Sequence, residues 1–377
     1  MTDNAPPRRA PARWAVVGNP ENRRVGLFSQ AVRDAGLPGP RVVPWTDVLR
    51  AGGAEFAADE LVRLDSPGEN AEVDRVLRGL DSPTRVDGSA RWYTRFTGAV
   101  RTLTGGLRMD DAGELAVLFD KRLCHRTLYH AGVPVPHSPT SGGGTPVRGW
   151  DDVRALMDAH GMPRAFVKPA HGSSASGVVA VETAGRGRIR ATTSVETAED
   201  GHLHNSLRLR RLTSEREVAA LVDALAPDGL HLERWWPKAS LDGRAADLRV
   251  VVVAGRATHA VVRTSRSPMT NLHLGGRRGD LAAVTLAAGP HWDEALRICE
   301  RAAACFPGTL CVGVDLLPAV GWRRFAVAEV NAFGDLLPGL TGLPRSGAEG
   351  LDTYAAQVAA APTYVQHHHT RNHCAPA

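Results

Sequence analysis

Apolar and polar positions along this chain follow two rhythms, short apolar runs and stretches of helical spacing, and near the start they alternate. "RWAVVGN" (13–19) is a short apolar run ending in Gly-Asn, which predicts a buried strand and a turn. In "RRVGLFSQAVRDAGL" the apolar positions Val25, Phe28, Ala31, Val32 and Ala35 fall on one helical face, and Gly36 stops the helix. "PRVVPW" predicts a second strand, "TDVLRAGG" a short helix capped by Thr46, and "ADELVRLDS" a third strand. Strand–helix–strand alternation predicts a parallel, doubly wound α/β lobe. It lacks a G-x-G-x-x-G turn, so it is not read as a dinucleotide fold.

Residues 66–111 are charged, include Arg91, Trp92, Tyr93 and Arg95, and are expected to form helices over this lobe. A helix is then expected from Asp120, with Leu123, Thr127, Leu128 and Ala131 on its apolar face and Gly132 and Pro134 ending it. After a loop at 140–149, "WDDVRALMDAHG" and "SEREVAALVDALA" read as helices, and "RAFVKPA", "SGVVAVE" and "GLHLERWW" as strands. "ADLRVVVVAGRATHAVVRTS" predicts a hairpin turning near Gly255 and Arg256. "WDEALRICERAAACF" predicts a long helix, and "VGVDLLPAVGWRRFAVAEVNAFG" (312–334) a second hairpin. The polar, His-containing segment from Tyr364 onward is expected to be a disordered tail.

Length and composition narrow the class without choosing a function. At 377 residues the chain is long enough for two or three lobes, and 43% hydrophobic with 23% charged residues is ordinary for a globular protein. No apolar run approaches the roughly 20 residues that span a bilayer, and the first residues lack the apolar core of a signal peptide. The expected location is therefore the cytoplasm. Cys124, Cys299, Cys305, Cys311 and Cys374 form no C-x-x-C pair, so reduced, mostly buried thiols are expected rather than disulfides or structural zinc. The net charge of +5 is modest, and the basic clusters at 185–190 and 208–211 carry no aromatic residues, which argues against specific nucleic-acid binding.

The candidate chemistry lies in the second hairpin. Folding it about Trp322 sets Asp315 opposite Glu329, and Asn331 shares that face by the period of two. Val314, Leu316, Ala328 and Val330 are then expected on the core face. Two opposed carboxylates repel, and a divalent cation with hard oxygen ligands would relieve them. A solvated face neutralised by Arg323 or Arg324 is the alternative. A second element is Lys168, followed by Gly172, Ser173, Ser174, Ser176 and Gly177, small residues whose backbone N–H groups can cradle phosphate. A third is Arg249 and Arg263, which face each other if the first hairpin turns about Arg256, with Asp247 close by.

Taken in order, "FDKRLCHRTLYHAGVPVP", "FVKPAHGSSASGV", "LERWW", "DLRVVVVAGRATHAVVRTS", "NLHLGG", "GVDLLP" and "AEVNAFG" resemble the ATP-grasp superfamily, nearest to its ribosomal-protein glutamate ligases and glutathione synthetases. The likeness covers about 118–334. It implies an α+β ATP-grasp architecture: an N-terminal lobe (1–115) followed by two α+β subdomains (116–232 and 233–377) enclosing a nucleotide cleft. Lys121 and Lys168 resemble the lysines on the α- and β-phosphates, and residues 172–177 (Gly172, Ser173, Ser174 and Gly177 among them) resemble the glycine-rich lid. Glu233 and Arg234 stand where the interlobe strand meets the adenine edge, and Asp247 resembles the acid near the ribose. Arg249 and Arg263 resemble arginines steadying the γ-phosphate and acyl-phosphate. Asn271, Gly275 and Gly276 resemble the segment closing over the reaction centre. Asp315, Glu329 and Asn331 match the magnesium ligands, and Arg63 corresponds to a substrate-side arginine.

The implied cofactors are ATP and Mg²⁺, with two ions and Mn²⁺ able to substitute. The implied reaction is ligation of a small-molecule or peptide carboxylate to an amine acceptor through an acyl-phosphate. A kinase acting on a hydroxyl and a non-catalytic, ATP-gated interaction protein are the alternatives. The chain departs from the pattern in Ala332-Phe333-Gly334-Asp335 after the E-x-N triplet, and in the bulky Trp235 and Trp236 at the hinge. Among the histidines, only His171, inside the lid, invites a functional reading.

Overall fold

The computed structural model describes residues 13–80, 85–172, 175–184, 187–334 and 338–373, the stretch 367–373 as backbone only. Its first lobe contains β1 (Arg13–Val17), α1 (Arg23–Asp34), β2 (Arg41–Val43), α2 (Trp45–Ala51), β3 (Ala54–Leu64), α3 (Ala71–Arg78), α4 (Ser89–Arg101) and β4 (Leu103–Arg108). The strands form a parallel sheet in the order β2-β1-β3-β4. In α1, Asn22 caps the start by accepting from the Arg24 amide, and Val25, Phe28, Ala31 and Val32 are buried, as their spacing predicts. Pro44 rather than Thr46 stands at the N-cap of α2, and Thr46 lies within the first turn. Pro is well suited to a helix start because it has no N–H to leave unpaired.

The segment 66–111 holds helices, as expected, in α3 and α4, but also β4, which periodicity does not reveal. Its sequence "LTGGLR" contains Gly105 and Gly106, both with positive φ, where the ladder with β3 is irregular. A Cβ at Gly105 would lie 2.1 Å from the Phe56 carbonyl oxygen. Gly105→Ala is therefore expected to destabilise the protein by on the order of 3 kcal/mol, read as a lower urea midpoint. An unchanged midpoint would show that β4 does not need this close approach.

Helices α5 (Ala112–Leu118) and α6 (Lys121–His130) lead to the second lobe. Asp120 caps α6 through the amides of Arg122 and Leu123, where the sequence places the helix start. The second lobe contains α7 (Trp150–Ala159), β5 (Arg164–Pro169), β6 (Val179–Ala184), β7 (Arg188–Thr197), β8 (Leu203–Leu212), α8 (Glu215–Leu225) and β9 (Leu230–Arg234). Its antiparallel sheet runs β8-β7-β6-β5-β9. The β7–β8 hairpin was not visible in the apolar pattern. Strand β9 runs through residues 232 and 233, so a divide drawn between them would cut a strand.

The third sheet, β13-β12-β11-β14-β15 with β10 on β11, follows. Its elements are β10 (Ser240–Leu241), β11 (Arg244–Val253), β12 (Arg256–Ser265), β13 (Arg277–Arg278), α9 (Leu281–Ala288), α10 (Trp292–Ala303), β14 (Cys311–Pro318), β15 (Phe325–Ala332) and α11 (Thr353–His373). As far as His373 the expected tail is instead the end of α11, whose buried Tyr354, Ala356, Val358, Ala361 and Val365 pack against both this sheet and the first lobe; residues 374–377 lie outside the described residues. The first lobe and third sheet share two cores, whereas the second sheet has its own with α7 and α8. Cys124, Cys299 and Cys311 are buried free thiols and Cys305 is half-buried, while Cys374 lies outside the described residues. Among the described residues no helix is long and apolar enough to cross a membrane.

Candidate active site

The second and third sheets face each other across a cleft of about 900 Å³, open to solvent. Strand β5 brings Lys168, its next-to-last residue, into the lining, and β9 pairs with β5 so that Glu233 reaches the same wall. Strands β11, β12, β14 and β15 supply Asp247, Arg249, Arg263, Asp315, Glu329 and Asn331 from the other wall.

The register explains this convergence. Asp315 pairs directly with Glu329, and Asn331 with Gly313, so all three expected side chains line the cleft. A bulge between Asp315 and Leu316 sets Leu316 opposite Val327 and leaves Ala328 as the extra residue. Ala328 consequently lines the cleft rather than the core, contrary to the alternation read from sequence. The first hairpin differs too. It turns through Ala254 and Gly255 and is irregular at Val251 and Val252, so Arg263 pairs with Asp247 and Arg249 with Val261. The two arginines are diagonal neighbours, not opposed, and they share Asp315.

Every acid in the cleft has a cation. Asp315 receives Arg249 Nε at 2.5 Å and Arg263 Nη2 at 3.0 Å. Burial alone would raise its pKa, but the two guanidiniums outweigh burial and hold the carboxyl down at about 2. Arg263 Nε donates to Asp247 at 2.7 Å, and Thr270 and Lys238 approach the other oxygen of Asp247. Lys121 bridges from Glu329 to the Gly172 carbonyl, which it reaches at 2.7 Å. Lys168 pairs with buried Glu233. Burial pushes that carboxyl up, yet Lys168 and then His231 more than compensate and bring it to about 2. Burial likewise disfavours the Lys168 ammonium, but Glu233, Glu329 and Asp315 raise its pKa above the ordinary value.

The other expected residues fall out as follows. Asn271 lines the cleft, and its side chain caps the turn at Leu272–Leu274 by accepting from the His273 amide. A Cβ at Gly276 would meet the Thr270 and Asn271 carbonyl oxygens at 2.5 and 2.7 Å, so that turn needs glycine. Gly172 lines the cleft. Gly177 has φ +73 and lies tight against Pro169, while Ser173 and Ser174 lie outside the described residues. Arg234 does not face the cleft: it is exposed and donates to the His160 and Gly161 carbonyls, because strand alternation sends it the opposite way from Glu233. Arg63 is absent as well. It is 2% exposed, paired with Asp65 at 2.7 Å and stacked over Phe28 in the core. His171 is a packing residue, stacked on Tyr93 with its Nδ1 3.1 Å from the Phe119 carbonyl oxygen.

Sequence reasoning missed Lys238, Thr270 and the apolar lining of Phe166, Val178, Met269 and Leu317. Lys238 and Thr270 lie in irregular backbone, where no periodicity assigns a face. Trp236, noted only as bulky, lines the cleft, and its indole Nε1 is buried without an acceptor among the described residues.

The donor chemistry of Asp315, Glu329 and Asn331 fits a divalent cation. They present two carboxylates and, with Asn331 Nδ2 donating to the Gly313 carbonyl at 3.2 Å, an amide oxygen. This is a hard-oxygen set that suits magnesium completed by phosphate oxygens. No cluster of three His, Cys, Asp or Glu side chains suited to hold a metal occurs among the described residues. The residues therefore fit a shared site and not a protein-only cage.

No family profile and no curated protein matches the sequence. Solved structures do match in fold. The chain is similar to the D-cycloserine synthetase DcsG, at 16% identity over 93% of this chain and 99% of that one, with a TM-score of 0.54. It is also similar to the ATP-grasp ligase PsnB complexed with a phosphomimetic variant of its minimal precursor, Mg and ADP, at 17% identity over 93% and 98%, with a TM-score of 0.53. PsnB with minimal precursor alone gives 0.51 at 16% identity. The chain has the ATP-grasp fold.

Proposed function

We propose that the chain is an ATP-dependent carboxylate–amine ligase that forms an acyl-phosphate and releases ADP and phosphate. The observation carrying this reading is that opposed Asp315 and Glu329 share one cleft with Lys121, Lys168, Arg249 and Arg263, all held in exchangeable ion pairs. PsnB, whose fold this chain shares, is an ATP-grasp ligase seen with Mg and ADP. A triphosphate can take over the cations, while Asp315, Glu329 and Asn331 would hold Mg²⁺ or Mn²⁺. That ion would supply charge neutralisation and orientation to the phosphate oxygens.

Lys121 and Lys168 are proposed to steady the inner phosphates, under a lid formed by 172–177. Arg249 and Arg263 hold the transferred phosphoryl group and then the acyl-phosphate, and Asn271 borders that centre. The substrate carboxylate attacks the γ-phosphorus and ADP leaves, so the oxide that would be a hopeless leaving group becomes phosphate. The amine then attacks the acyl carbon, phosphate departs and one proton is released. Positioning and fixed positive charge do the catalytic work, and no side-chain nucleophile is needed. Glu233 and the buried indole N–H of Trp236 border the place where the base would lie, with Asp247 near the ribose. Arg234 would contribute through its backbone carbonyl alone, since its amide already donates to the His137 carbonyl at 2.8 Å.

The test is a screen of amino acids and other carboxylates, singly and paired with amines, for Mg-ATP-dependent ADP release, followed by mass spectrometry. A product equal to acid plus amine less water supports the ligase. A stable phosphorylated product would replace it with a kinase, and tight ATP binding without turnover on any pair would remove the catalytic reading.

A further inference from the structure

Beside the cleft lies a second groove of about 870 Å³, between β8 and the ends of β11, β12 and β13. Arg211, Arg244, Arg266 and Arg277 line it, with no acidic and no aromatic side chain among its described lining residues. No ion pair or side-chain hydrogen bond is made by any of these four among the described residues, and Arg244 Nε is buried without a partner. Ser265 and Ser267 are occupied in shaping the turn, since Ser267 Oγ donates to the Met269 carbonyl and Ser265 Oγ accepts from the Ser267 amide. Four unneutralised guanidiniums on one groove repel one another, a cost that a bound anion removes. Pro268 lines both this groove and the main cleft, and Leu209 of β8 packs against the Met269–Leu274 cluster. An occupant here would therefore touch both walls of the cleft mouth.

We propose that this groove seats clustered carboxylates of an acidic substrate, remote from the carboxyl group that reacts. The proposal rests on the ligase reading for calling the occupant a substrate. Two sources share this chemistry, an acidic peptide segment and a small polycarboxylate. A nucleic acid is disfavoured because the groove offers no ring for base stacking.

The experiment measures binding of fluorescein-labelled hexaglutamate to the full chain without ATP, with hexaglutamine as the neutral control. Hexaglutamate is expected to bind, to weaken as salt rises, and to lose roughly tenfold in affinity in Arg211→Gln/Arg277→Gln. Both of those side chains are exposed, so the fold and the Mg-ADP thermal shift should be retained. Full displacement by propane-1,2,3-tricarboxylate supports the small-molecule source, and resistance to it supports the peptide source. Equal binding of hexaglutamate and hexaglutamine, no effect of the double substitution, or tighter binding of oligothymidylate overturns the proposal. Hexaglutamate binding as expected while no acid ever drives ADP release would sink the ligase and leave the groove. Ligase turnover indifferent to the arginine substitutions, with no hexaglutamate binding, would do the reverse.

Discussion

Asp315→Asn is expected to lower Mg-ATP turnover by at least ~100-fold and, in the ligand-free protein, to lower the melting temperature. The two effects have different causes. Asp315 neutralises Arg249 and Arg263 when nothing is bound, and its carboxyl is held at about 2 by those guanidiniums despite burial. An amide there removes the carboxylate that Arg249 and Arg263 share and leaves Asp247, already paired with Arg263, as the acid beside these two like-charged neighbours, a large penalty in a low-dielectric site. A triphosphate supplies the missing charge, so metal-free AMPPNP should raise the variant's melting temperature more than it raises the wild type's. Magnesium should add to that shift in the wild type and add nothing in the variant. Glu329→Gln should match the loss of turnover with a smaller loss of stability, because Glu329 is more exposed and frees only Lys121. Wild-type ADP release, or a magnesium-dependent shift in Asp315→Asn, would contradict the metal assignment.

How far the sequence could carry this site depends on what set each residue's direction. Asp315, Glu329 and Asn331 were legible because one hairpin of unbroken apolar runs turns at a recognisable point, and period two then assigns the faces. Ala328 was not, because a bulge is a local insertion that leaves no mark in the alternation. The pairing of Arg249 and Arg263 shifted for two such reasons, a turn one residue earlier than read and a bulge at Val251 and Val252. Strand β4 was hidden by its positive-φ glycines, and the β7–β8 hairpin by polar residues on its outer face. The end of helix α11 was missed because the polar, His-containing segment from Tyr364 onward read as a tail, although Val365 is buried along it. Long-range fits of this kind, such as Arg63 locking into the core instead of a substrate site, depend on partners the local pattern does not name.

Lys168→Met should invert the pH dependence of stability at this site while removing nucleotide binding. In the wild type Glu233 is 3% exposed and titrates near 2, below its ordinary value of 4.5, because of Lys168 and His231. Its contribution is therefore complete above pH 4.5 and is lost as pH falls toward 2. Without Lys168, burial dominates, and the folded protein retains a proton near Glu233 that the unfolded chain releases. Whether that proton sits on Glu233 or on His231, 3.4 Å away, the count is the same: the unfolded chain gives up the last proton of the two only as His231 titrates, so the variant loses stability as pH rises above about 6.5. The stability gap to the wild type should widen from pH 4 to pH 8, reaching about 3 kcal/mol for one partner of a buried pair removed. Adding Glu233→Gln removes the buried charge and should recover most of that loss, with the pH dependence gone. The thermal shift with Mg-ATP should stay absent in the double variant, because the lysine that would meet the phosphates is still missing. Recovery of the shift together with stability would mean that Lys168 only supports the fold, and a gap independent of pH would mean that Glu233 is not held ionised by it.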